Sequence, residues 1–170
     1  MTTRALLLLK KRPAAHQDGD APLEWLVTNG LGGYASGSVD GPPTRRFHGL
    51  LVTAHPAPVG RVLLLHGLQE VVELPDGRAG CLRPGRDADP PPIGHMDFCI
   101  QAGLPQWTFE LQEGAFIEQS VMMPNGQNTV HLRYRLTGSV PSVTLRLKPC
   151  LLYTSPSPRD LSTSRMPSSA

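Results

Sequence analysis

From Pro22 onward the side chains alternate with the period of a β-strand. Leu23, Trp25 and Val27 fall on one side and Glu24, Leu26 and Thr28 on the other, which suits a mostly buried strand. A glycine-rich turn, Asn29 to Gly33, comes next. Residues 47–53 form a near-continuous apolar run and read as another strand, and 61–65 and 69–74 read as two more. Pro75-Asp76-Gly77-Arg78 is a tight-turn signal, because Asp-Gly tolerates the positive φ that a hairpin turn requires. Residues 83–94 are rich in Pro and Gly and read as a long surface loop. Trp107, Phe109 and Leu111 then alternate with Thr108, Glu110 and Gln112. Residues 116–123 continue as a strand, and Pro124-Asn125-Gly126 turns the chain. The clearest strand is 129–136: Val130, Leu132, Tyr134 and Leu136 face one way, His131, Arg133 and Arg135 the other. Val143, Leu145 and Leu147 repeat the pattern. No long stretch has a helical period, and no repeat of solenoid or propeller length is present. Hairpins with one apolar face predict an all-β fold, an antiparallel β-sandwich.

Composition supports that reading: with Gly 17 and Pro 18 in 170 residues, turns are frequent. The formal net charge of +2 gives no reason to expect nucleic acid or a membrane surface as a partner. No apolar run approaches the ~20 residues of a membrane span. Residues 5–9 are apolar, but they are too few for a secretory leader, and Lys10-Lys11-Arg12 follows them instead of preceding them. Cys81, Cys99 and Cys150 form neither a disulfide framework nor a zinc spacing. A cytoplasmic protein without metal or cofactor is expected.

The two ends read differently. Residues 1–21 have mixed charge and no period, as in a divergent or mis-assigned lead. Residues 151–170, LLYTSPSPRDLSTSRMPSSA, lose all apolar periodicity. One reading is a disordered Ser/Thr/Pro-rich tail. The segment also resembles the translated read-through of a transposase-based sequencing adapter, whose first codon would supply Cys150. The expected organisation is a lead (1–21), an incomplete β-sandwich domain (22–149) and a non-native tail (150–170).

Candidate chemistry gathers in EWLVTNGLGGYASGS (Glu24 to Ser38) and TRRFHGLLV (Thr44 to Val52). Gly30, Gly32 and Gly33 allow backbone shapes closed to other residues. A phosphate cradle would need a helix start after them, and none is read here, so a plain tight turn fits better. Arg45 and Arg46 are neighbours, so in a strand they point to opposite faces, one solvated and one free to pair with an acid or a hydroxyl-rich ligand. His48 would share the face of Arg46, in a structural role more than a catalytic one. Trp25, Tyr34 and Trp107 offer faces for sugar stacking, although burial suits the two tryptophans better.

These blocks, with PVGRVLLL (Pro58 to Leu65) and Gln106 to Leu136, resemble the N-terminal domain of bacterial and archaeal glycogen debranching enzymes, the amylo-α-1,6-glucosidase family. Ser38 stands where that pattern has Thr and Phe47 where it has Tyr, and residues 76–95 match poorly. The resemblance implies a β-sandwich placed before an (α/α) barrel, with the carboxylates that cleave α-1,6 branch points on the barrel. Glycoside hydrolysis generally needs two such groups, and the matched region presents no convincing pair. No catalytic residue is therefore assigned, and the chain alone is expected to be an inactive part of a glycoside hydrolase. Its implied partners are the missing C-terminal helical barrel of the same protein and a branched α-glucan. Asn29, Gly30, Gly32, Gly33, Tyr34, Arg45, Arg46 and His48 are the candidates for substrate binding or for the domain interface, and both roles stay open. The alternative is a free-standing, non-catalytic polysaccharide-binding β-sandwich. An aromatic content of 5%, with the tryptophans in core register, weighs against it.

Overall fold

The computed structural model describes residues 23–41, 44–83 and 90–151. The expected lead, and the expected tail after Leu151, lie outside those residues. All regular structure among them is strand. In chain order the strands are β1 (Glu24–Thr28), β2 (Tyr34–Ser38), β3 (Gly49–Ala54), β4 (Arg61–Leu65), β5 (Gly67–Glu73), β6 (Ala79–Cys81), β7 (His95–Gln101), β8 (Leu104–Gln112), β9 (Ala115–Met122), β10 (His131–Gly138) and β11 (Thr144–Cys150). They pair into a sheet of order β1-β2-β3-β4, a second of order β10-β9-β8-β7 and a three-stranded sheet of order β11-β5-β6. All of these pairings are antiparallel. The architecture is the all-β sandwich that the alternation predicts.

The core joins the two four-stranded sheets. Trp25 of β1 meets Trp107 of β8 edge-to-face, with ring centroids 5.4 Å apart, and Phe98 of β7 packs on Trp107 at 5.1 Å. A buried indole N–H needs an acceptor. Trp25 Nε1 donates to the carbonyl of Ser38 at 3.3 Å, and Trp107 Nε1 donates to that of Val39 at 3.1 Å. Both tryptophans are core residues, as their register predicts. Strands β8 and β9 alternate strictly: Trp107, Phe109, Leu111, Ile117 and Val121 point inward.

The structure departs from the sequence reading in definite places. β2, with sequence YASGS, carries no apolar alternation, because it is built small to fit beneath Trp25. A Cβ on Gly37 would stand 3.2 Å from Trp25 Nε1. β3 begins at Gly49 and not at Phe47. The His48 N–H closes a turn onto the carbonyl of Arg45 at 3.1 Å, so Arg45 and Arg46 lie in a turn and the opposite-face geometry of a strand does not arise. Phe47 stands 66% exposed. β1 is buried on one side only: Trp25 and Val27 are inside, whereas Leu26 is 61% exposed. β7 lies just past the expected loop, with Phe98 inward. That loop is not all surface either, since the Arg83 guanidinium lies over the Trp107 ring at 4.3 Å. Residues 84–89 lie outside the described set. β11 ends at Cys150, which pairs with Gly67.

Candidate functional site

Four of the candidates, Asn29, Gly30, Gly32 and Gly33, sit in the turn between β1 and β2. Asn29 is fully buried. Its Oδ1 accepts the N–H groups of Leu31 and Gly33, both at 3.0 Å. Its Nδ2 donates to the carbonyl of Gln127 at 2.9 Å and to Asn128 Oδ1 at 3.0 Å. Two donors and two acceptor sites are thereby satisfied, so the side chain has no polar capacity left for a ligand. Asn128 extends the node, with its Nδ2 donating to the carbonyl of Ala54 at 2.9 Å and its Oδ1 accepting the Ala54 N–H at 3.2 Å. The Gly126 N–H completes it by donating to the carbonyl of Asn29 at 2.7 Å. Three turns are thus fastened together, those after β1, β3 and β9.

The glycines serve this node. Gly30 and Gly32 hold φ of 76° and 92°, where a side chain is strained. Gly33 is there for closeness: a Cβ would lie 2.6 Å from Asn29 Nδ2 and 3.0 Å from both Asn128 Oδ1 and the carbonyl oxygen of Val52. Tyr34 opens β2. Its hydroxyl donates to the carbonyl of Phe47 at 3.2 Å, and the Arg61 guanidinium lies 5.7 Å from its ring centroid. Arg61 Nε also donates to the carbonyl of Gly32 at 3.0 Å.

Arg45 and His48 belong to a second cluster, organised by Glu24. Arg45 Nε donates to Glu24 Oε1 at 2.5 Å, and His48 Nε2 stands 3.6 Å from the same oxygen. The Thr44 N–H donates to His48 Nδ1 at 3.3 Å, which fixes the neutral ring with its proton on Nε2, toward Glu24. The Arg45 hydrogen bond holds the Glu24 carboxyl below its ordinary range. Burial is the main cause that pushes the His48 imidazole below its ordinary value, with Arg45 and His66 adding to it and Glu24 opposing. Arg46 lies apart from the cluster, exposed beside the Phe47 ring at 5.6 Å. The candidates therefore divide into a saturated amide node, a Glu24-centred ion cluster and one solvated arginine.

Sequence reasoning overlooked Glu24, Thr44, Asn128 and Arg61 as partners. Only folding brings a lone Asn at 128 to Asn29. It also overlooked a buried polar group between the second and third sheets. Arg83 Nη1 donates to Glu70 Oε2 at 3.0 Å, and Gln119 Nε2 donates to Glu70 Oε1 at 2.5 Å. Tyr134 donates its hydroxyl proton to Glu70 and accepts from Gln119 Nε2, while Arg83 Nη2 donates to Gln119 Oε1. Burial first, then the Glu70 charge, raises the Tyr134 phenol well above its ordinary range, so it stays a donor. The signal lay in the Glu, Gln and Tyr that interrupt apolar faces of β5, β9 and β10.

Among the described residues no group of three or more His, Cys, Asp or Glu is placed to hold a metal ion. No helix of the structure is long and apolar enough to cross a membrane. A protein-family model described as "Glycogen debranching enzyme N terminal" matches residues 23–157. No curated protein and no solved structure matches the chain.

Proposed function

The chain belongs to the glycogen debranching enzyme N-terminal family, and we propose that it is the non-catalytic β-domain of a cytoplasmic enzyme that hydrolyses α-1,6 branch points of glycogen. The observation that carries this reading is the family match over residues 23–157. The state of the acids supports the division of labour. A glycosidase needs a carboxyl with a raised pKa as its general acid. Glu24 and Asp76 are both shifted the other way, chiefly by hydrogen bonds from Arg45 and Arg78. Glu70, Glu73 and Glu118 are each held by an arginine. The hydrolytic pair would then belong to a helical barrel of the same protein. Leu26, Phe47 and Leu64, exposed at 61%, 66% and 46%, offer apolar surface for such a barrel to cover. In this reading the Asn29 node and the Glu24 cluster hold the turns in shape, and Arg46 is free to reach the barrel or the glucan. A free-standing polysaccharide-binding module is the weaker reading, because both tryptophans are buried and cannot stack on sugar.

The test is to sequence the source DNA outward from codon 149, express the polypeptide it encodes, and assay it beside the 170-residue chain on a branched limit dextrin. Glucose release by the longer protein alone is expected. Release by the 170-residue chain would overturn the non-catalytic role. A source frame that closes at Ala170 would put the binding module first.

A further inference from the structure

The outer face of the sheet formed by β7 to β10 is polar and holds a cleft of about 340 Å³, at the small end of ligand-sized cavities. Gln106 pairs in register with Ser120, and Ser120 with Arg133, so the three form one row across β8, β9 and β10. Strands lie about 4.8 Å apart, which makes the row about 10 Å long. Gln101 lines the same cleft. None of these four side chains has a hydrogen bond or ion pair among the described residues. The neighbouring Glu118 and Arg135 are spent on each other, at 2.9 Å.

We propose that this row is a binding site for a short segment of α-glucan, separate from the turn that holds Asn29. The proposal rests on the debranching reading above. Two primary amides, one hydroxyl and one guanidinium offer many directed donors and planar acceptors, a set that matches vicinal hydroxyls and ring oxygens. An anion fits less well, because Arg133 is the one uncompensated cation in the lining and the Glu118 carboxylate stands beside it. No aromatic ring lines the cleft, so binding relies on hydrogen bonds that compete with water and is weak.

The experiment is an NMR titration of the full 170-residue chain with maltotriose and, separately, with inorganic phosphate. Maltotriose is expected to give saturable shifts in the Gln101 and Gln106 side-chain amides. Arg133→Ala and Gln106→Ala should each weaken binding by tenfold or more while leaving the rest of the spectrum in place. Both positions lie on the polar outer face, so the fold does not depend on them. No saturable shift with maltotriose, an unchanged affinity in both variants, or saturation by phosphate alone would overturn the proposal. Its failure leaves the debranching reading standing, since that is judged by glucose release from the longer protein.

Discussion

Asn29 and Asn128 meet amide to amide at 3.0 Å, although 99 positions of chain separate them. Each also holds backbone groups of a turn, so the pair couples the start of the first sheet to the end of the second. Asn29 has a structural task that leaves it no free hydrogen-bonding group.

Asn29→Ala is expected to destabilise the chain by about 2–4 kcal/mol. It removes side-chain hydrogen bonds each worth roughly 0.5–1.5 kcal/mol, and it strands the buried partners. Urea denaturation followed by tryptophan fluorescence measures this. A midpoint equal to that of the wild type would show that the node is ornamental.

Gly33→Ala should cost about 1–3 kcal/mol through overpacking against Asn29, Asn128 and the Val52 carbonyl. Gly77→Ala is the control. There φ is 85° and nothing lies within 4 Å of the new Cβ, so only backbone strain of about 1 kcal/mol is added. If Gly77→Ala proves the more damaging of the two, the close-approach argument for Gly33 fails.

His48 predicts a pH dependence. Its pKa in the fold is below the ordinary 6.5, so the unfolded chain takes up the proton first. Above pH 6.5 neither state is protonated and nothing is lost. As pH falls below 6.5 stability drops, until the native value is passed. Glu24 adds a later loss of the opposite origin: its pKa in the fold lies below the ordinary 4.5, so its contribution is present above that value and disappears as pH falls through the native one. The denaturation midpoint should therefore decline as pH falls below 6.5, with a smaller slope in His48→Gln. Equal slopes in the two proteins would refute the assignment to His48.

Glu70→Gln removes the countercharge of a buried guanidinium, and a loss of about 3–5 kcal/mol is expected. The double variant Glu70→Leu with Arg83→Met should recover much of that loss, because it leaves no buried charge behind. Thermal unfolding of both variants decides it: a double variant no better than Glu70→Gln would mean that the network is needed as a whole.

The alternation in β8, β9 and β10 was legible because a side chain on a two-faced strand must be apolar on one face and polar on the other. β2 was not legible, since its requirement is smallness beneath Trp25, and smallness in sequence looks like a turn. Glu24 stood inside the motif that raised Arg45 and His48 as candidates. Its role was hidden because the three meet only when the turn before β3 folds back onto β1.

The sequence by itself determined the all-β class, most strand positions, the burial of Trp25 and Trp107 and the family. Each of these depends on local periodicity or on a contiguous motif. Tertiary structure alone decided that Asn29 is saturated by a turn far along the chain, that Arg83 leaves its expected loop for the face of Trp107, and that Gln106, Ser120 and Arg133 form one free polar row. Those facts depend on strand register and on contacts between distant turns, and a single linear pattern carries no signal for which polar groups will find each other.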